Sequence, residues 1–267
     1  MNSQTWLVEA DGQRFVAKAV PHDRAGSFEA GLSIAAVVQE AGIPAGAPVA
    51  TRDGRACVRV GESVLALLTF VEGRGLTAES AEDLVLIGST LGQMHRALAG
   101  QEVARAERFH WIDASAPYLS LPSWVRPAVK AAIAAYDAIP PESLTWGLLH
   151  TDPAPEAFRL DPTTGECGLI DWDLGTVGPL LYDLASAEMY VGGPEHSGPL
   201  LAAYLATGAL AVEEVDRALR SMARMRWAVQ ADYFARRIAT DDLTGIESRT
   251  ENEKGLEDAR LGLIGAG

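Results

Sequence analysis

Two short acidic clusters carry the residues whose types and spacing could do chemistry. His150, Thr151 and Asp152 follow the apolar run Leu148-Leu149, and Asp171, Trp172 and Asp173 follow a second run, Gly168-Leu169-Ile170. An apolar strand that ends in a loop acid fixes a carboxylate while leaving its oxygens open to a ligand. Two such carboxylates at the ends of adjacent strands can converge on one point. Such a pair suits a base for an alcohol and a ligand for a hard, oxygen-preferring cation. Two solvated surface loops would show the same H-x-D and D-x-D, so the surrounding residues decide. A third candidate is Lys18, within Phe15-Val16-Ala17-Lys18-Ala19-Val20. Strand alternation puts Val16 and Lys18 on one face, so the ammonium points where an apolar side chain would otherwise pack. A lysine snorkelling from the surface is the ordinary alternative. Against it, Lys18, Lys130 and Lys254 are the only lysines among 22 basic residues, so a compact ammonium here departs from the chain's use of arginine.

The elements that must position these residues are legible from periodicity. Residues 4–9 and 14–20 alternate as strands about Asp11-Gly12, a dipeptide that supplies the positive φ of a tight hairpin. Residues 28–41 have helical spacing, with Ser27 as the expected N-cap and Gly42 as the stop. Residues 56–60 and 64–71 read as two further strands, and Glu72-Gly73-Arg74-Gly75 as a boundary. Beyond it the pattern turns helical over 81–98, 123–138, 199–205, 212–239 (read as two helices) and 251–261. Between 144 and 173 lie two short β-like runs around a polar loop. The expected architecture is α+β, with a small β-rich lobe over 1–73, a larger helical lobe over 74–267 and a cleft between them.

Composition narrows the function. The chain has 267 residues and a mass of 28.3 kDa, enough for two lobes with an ample core. Its 36 Asp and Glu against 22 Lys and Arg give a net charge of −14, which repels phosphate backbones and disfavours nucleic acid as a partner. Cys57 and Cys167 match no metal-ligand spacing and imply no disulfide framework. With no basic-then-apolar leader, they point to the cytoplasm. No run of about 18 uncharged apolar residues suggests a membrane partner. A monomer or weak dimer is expected.

His150-Thr151-Asp152, Ile170-Asp171-Trp172-Asp173, Gly178-Pro179 and Tyr182-Asp183-Leu184-Ala185 follow one another with a spacing that resembles the aminoglycoside phosphotransferase family. These are small-molecule kinases with a protein-kinase-like, two-lobed fold. The resemblance implies ATP or GTP and Mg²⁺ as cofactors and a small-molecule hydroxyl acceptor as partner. It implies that Asp152 is the catalytic base, that Asp171 is the Mg²⁺ ligand and that Asp173 joins the metal site or holds loop amides. His150 then supports the loop, and Asp183 is the buried acid that fixes the loop backbone. Lys18 matches the strand lysine that contacts the α- and β-phosphates, with Glu29 preferred over Glu40 as its helix partner. The backbone at Thr69, Phe70 and Val71 matches the hinge that holds adenine. Phosphoryl transfer asks mainly for alignment and charge neutralisation, so few carboxylates suffice.

Two departures from the family pattern stand out. Ala157, five residues after Asp152, replaces an Asn that supplies a metal ligand. That change leaves either a working enzyme or a pseudokinase-like protein that binds nucleotide or ligand without transfer. The chain also starts near the end of the turn that covers the phosphates, so the first strand and Gly-rich turn of the small lobe are expected to be missing. The acceptor is open. Asp241, Asp242, Glu247, Glu251, Glu253 and Glu257 form an acidic tract that suits a polycationic aminoglycoside or other basic antibiotic, or is a solvated charged turn. Homoserine, choline-like and sugar acceptors also occur among relatives.

Overall fold

The computed structural model describes residues 3–109, 112–172 and 174–265. In chain order the elements begin with β1 (Gln4–Ala10), β2 (Gln13–Pro21), α1 (Ala25–Glu40), β3 (Val58–Val60), β4 (Ser63–Thr69), β5 (Arg74–Gly75), α2 (Ala81–Ala97) and β6 (Glu107–Arg108). They continue with α3 (Val125–Asp137), β7 (Trp146–Leu149), β8 (Phe158–Leu160), β9 (Cys167–Leu169), β10 (Thr176–Pro179), α4 (Leu181–Tyr190), α5 (Gly198–Ala206), α6 (Val212–Ala239) and α7 (Arg249–Gly265). Two compact units result, one from Ser3–Phe109 with Trp146–Ala211, the other from His110–Thr145 with Val212–Gly267. The sequence boundary at residue 73 falls inside the first of these.

The first unit opens with an antiparallel sheet in the order β1-β2-β4-β3. Asp11 and Gly12 take φ values of 52° and 73°, the two positive angles that a type I′ hairpin turn requires. The sheet packs against α1 through Val20, Phe28, Leu32, Val64 and Ala66. Burying side chains the size of Phe28 and Leu32 contributes roughly 1.5–3 kcal/mol each. The helix begins three residues earlier than its apolar spacing suggests. Ser27 therefore sits in the first turn, where its hydroxyl donates back to the Arg24 carbonyl at 3.2 Å instead of capping the helix.

Two further small sheets carry the loops of interest, with strand orders β6-β10-β7 and β5-β8-β9. β7 leads into His150 and β9 into Asp171, so the two acid-bearing strands lie in different sheets. The expectation that these strands are neighbours does not hold. Helix α1 also reaches the second loop directly, because Gly31 has no side chain: a Cβ there would lie 2.3 Å from the Trp172 carbonyl oxygen.

In the second unit α6 is one helix of 28 residues, not two. It contains neither Gly nor Pro, and Met222, Met225, Ala228, Ala231 and Ala235 keep a continuous buried stripe along it. Arg237 is fully buried, and its guanidinium donates to Asn252 Oδ1 at 2.9 Å, the Thr244 carbonyl at 2.7 Å and Tyr233 Oη at 3.1 Å. The acidic tract is engaged locally. Asp241 and Glu253 pair with Arg249, Glu257 with Arg260, and Glu251 accepts the backbone N–H groups of Glu247 and Ser248 ahead of α7. These contacts fit the charged-turn reading of the tract. Among the described residues no helix is long and apolar enough to cross a membrane.

Helices α2 and α5 cross so closely that a Cβ on Gly88 would lie 2.1 Å from the Leu200 carbonyl oxygen. Gly88→Ala therefore overpacks a backbone contact. A loss of about 2 kcal/mol is expected, lowering the melting temperature by roughly 4–8 °C in calorimetry. Unchanged melting would contradict this crossing.

Candidate active site

The loop after β7 is organised by one carboxylate. Asp183, near the start of α4, is fully buried. Its Oδ2 accepts the His150 N–H at 2.7 Å and faces His95 Nε2 at 3.1 Å, while Oδ1 accepts the Thr151 N–H at 2.8 Å. Thr151 is thereby held at φ 75°, a left-handed conformation that strains a β-branched residue. Asp152, the next residue, projects outward and is exposed, and its Oδ1 accepts a hydrogen bond from the Tyr190 hydroxyl.

His150 ties this loop to the second one. Its Nε2 donates to the Ile170 carbonyl at 2.9 Å, which leaves Nδ1 as an acceptor facing the Asp152 N–H at 3.4 Å. Its ring meets the Trp172 ring edge-on with centroids 4.7 Å apart, and Trp172 Nε1 donates to the Leu169 carbonyl at 2.8 Å. One imidazole thus spans from the backbone of Asp152 to the residue before Asp171. This bridge, rather than strand adjacency, connects the two acids.

Asp171 itself has φ 78°. Its Oδ1 pairs with Lys18 Nζ, which reaches it from the middle of β2. The ammonium side chain is 6% exposed and the carboxylate 62% exposed. Burial works to raise the Asp171 carboxyl, but the charge and hydrogen bond of Lys18, with His150 adding, hold it below the usual carboxylate range. Glu29 is placed elsewhere. Its carboxylate takes Arg105 and the Cys57 thiol at 3.7 Å, so the expected Lys18–Glu29 pair gives way to Lys18–Asp171. The reason lies in α1, which turns small Gly31 toward the backbone beside Asp171 and leaves Glu29 on its flank. Asp173 lies outside the described residues.

At the segment expected to be the hinge, the Thr69 N–H donates to the Ala47 carbonyl at 2.9 Å and its hydroxyl to Gln39 Oε1 at 3.1 Å. Thr69, Phe70 and Val71 border a cavity of about 380 Å³ that Gln39, Pro44 and Arg159 also line. Lys18, Asp152 and Asp171 are not among its walls, so this cavity is distinct from the cluster of reactive groups. Ala157 bridges backbones: its N–H donates to the Ala154 carbonyl and its carbonyl accepts the Ile170 N–H, each at 2.9 Å. Among the described residues no three His, Cys, Asp or Glu side chains gather into a metal cage. The protein's own hard donor at this point is the accessible Asp171 carboxylate. That fits Mg²⁺, which is commonly held by one or two carboxylates together with substrate phosphates.

Three contributors escape a reading of the sequence. His95 Nδ1 meets Tyr204 Oη at 2.7 Å in the core, which joins α2 and α5 to Asp183. Tyr190 was not singled out either, although it stands seven residues after Asp183 on the same helix. That spacing is the signal that could have found it. The partner of His95 has no such local cue.

An α+β fold with a buried acid organising one loop and a lysine–aspartate pair closing the other defines a protein-kinase-like protein. Known structures agree in fold. The amicoumacin kinase in complex with AMP-PNP, Ca²⁺ and Ami gives a TM-score of 0.75 over 99% of this chain and 86% of that one, at 14% identity. A microcompartment-associated aminopropanol kinase gives 0.75 over 100% and 89%, at 17% identity. The sequence model of the phosphotransferase enzyme family matches residues 1–227, and the chain belongs to that family. A homoserine kinase of Azorhizobium caulinodans is 32% identical over 155 residues, which are 54% of this chain and 47% of that protein. One from Methylocella silvestris is 30% identical over 169 residues, 60% and 52% respectively. The chain thus spans about half the length of the curated relatives it matches.

Replacing Asp183 by Asn turns an amide NH₂ toward groups that all donate. A loss of about 3 kcal/mol is expected from denaturant unfolding. A second effect depends on pH. Glu188, also on α4, is buried, and its Oε1 accepts the Ser197 hydroxyl at 3.0 Å. Burial outweighs that bond and raises its pKa above 4.5. A raised folded pKa means stability present below the unfolded pKa and lost as pH rises through the folded one. Glu188→Gln should therefore gain stability relative to the parent between pH 4 and pH 8. Parallel unfolding midpoints across that range would count against it.

Proposed function

We propose that the chain is an ATP-dependent phosphotransferase that moves the γ-phosphate to a hydroxyl of a small amino alcohol. The observation that carries the reading is the unbroken connection from Lys18 through Asp171, Ile170 and His150 to Asp152. It holds a cation, a carboxylate and a second, outward-facing carboxylate in one framework. In this reading Lys18 neutralises the inner phosphates and Asp171 holds Mg²⁺. When bound, the metal supplies charge neutralisation across the phosphate oxygens. Asp152 orients the acceptor hydroxyl and takes its proton. The hinge at Thr69, Phe70 and Val71 receives the adenine, and a guanine nucleotide is the alternative donor.

The names of the relatives support the acceptor class: homoserine, aminopropanol and choline each join an amine or quaternary ammonium to a hydroxyl. The net charge of −14 favours a cationic substrate over an anionic one. Aminoglycosides and other basic antibiotics are larger members of the same chemical class. The acidic tract lends them no particular support, because the carboxylates of Asp241, Asp242, Glu251, Glu253 and Glu257 are engaged with neighbouring side chains and amides. One observation favours a second reading. Ala157 offers no metal ligand, as a nucleotide-binding protein without transfer would tolerate.

A panel of homoserine, aminopropanol, choline and an aminoglycoside, each with Mg²⁺ and ATP or GTP, tests these readings. Transfer to at least one compound is expected, with Asp152→Asn lowering kcat about 100-fold or more. Lys18→Met should weaken use of the nucleotide. Thermal stabilisation by nucleotide without transfer to any compound would overturn the enzyme reading in favour of the binding protein.

A further inference from the structure

We infer that Tyr190 is a positioning residue for Asp152 and that α4 splints the whole 150–152 loop, an inference that rests on the phosphotransferase reading. Asp183 and Tyr190 are seven residues apart on α4. At about 100° per residue they fall within roughly 20° of one helical face, and about 10 Å apart along the axis. The two grips differ in kind. Asp183 holds the loop by its backbone, through the N–H groups of His150 and Thr151. Tyr190 holds it by the reactive side chain, donating its hydroxyl to Asp152 Oδ1.

The splint is rigid at both ends. Leu181, Tyr182, Leu184, Ala185 and Ala187 are almost fully buried around Asp183. Beyond Tyr190, the Val191 N–H donates to the Ala187 carbonyl, and the buried Ser197 hydroxyl fastens the following turn to Glu188. The Tyr190 ring thus springs from a fixed backbone. Asp152 lies on a loop and is exposed, so the contacts its carboxylate makes set which of the staggered χ1 wells it occupies. The phenol hydroxyl donates and the carboxylate oxygen accepts, so the bond favours the rotamer that presents Oδ1 to Tyr190. Holding the base in one well converts a search over rotamers into a standing geometry, which contributes to kcat and not to nucleotide affinity.

The test compares the parent chain, Tyr190→Phe, Asp152→Asn and the double variant with Mg²⁺, ATP and the best acceptor of the panel. Tyr190→Phe keeps the ring and is expected to lower kcat about 10- to 100-fold, with KM for ATP and the melting temperature unchanged. In the Asp152→Asn background the same change should have no further effect, because the group it positions is gone. An active parent whose kcat is unaltered by Tyr190→Phe overturns the inference alone. Equal fold-losses in the two backgrounds overturn it as well, since they would mark a general structural role. A parent chain inactive on every acceptor overturns the phosphotransferase reading, and the inference with it.

Discussion

The buried carboxylate of Asp183 is the constraint on which the geometry of the 150–152 loop depends. A fully buried acid is tolerated when its oxygens are matched by donors, and here two backbone N–H groups and His95 surround it. Meeting those donors draws the chain at Thr151 into a left-handed conformation that a β-branched residue avoids. That turn sends Asp152 out of the core. Through His95 and Tyr204 the same carboxylate also links α2 and α5, so three helices converge on one buried charge.

The acids that face outward obey different physics. Asp171 is more than half exposed and takes its low pKa from the buried ammonium beside it. Lys18 in turn has a counter-charge that lets it remain in the sheet interior without an uncompensated cost. The second loop is shaped less by charge than by close approach, since Gly31 allows α1 to rest on the Trp172 backbone. This chain therefore places the Asp152 carboxylate through hydrogen bonds from its loop to a neighbouring acid, and the Asp171 carboxylate through helix contact and an ion pair. His150 makes the two loops one framework.

Much of this was legible in the chain. The hairpin at Asp11-Gly12 and the long helices announce themselves through short-range patterns, because turn angles and helical stripes are local properties, while Lys18, Asp152, Asp171 and Asp183 stand out through motifs that resemble the family's. What failed is equally informative. Ser27 resembles an N-cap, yet the helix extends past it. Residues 212–239 read as two helices, but no Gly or Pro interrupts them and a common buried stripe keeps them as one.

Residue types, and motifs that resemble the family's, single out the side chains whose chemistry suits phosphate, a hard cation or a proton, and their order along the chain. Only the tertiary structure decided which of them meet. In one dimension Glu29, and after it Glu40, is the expected partner for Lys18. The direction in which α1 turns its small residues gives the lysine to Asp171. β7 and β9 look like neighbours in sequence but pair in separate sheets, so an imidazole makes the link instead. His95 meets Asp183 across a separation of 88 residues and Tyr204 across one of 109. No local pattern encodes such meetings, because they follow from how whole elements pack.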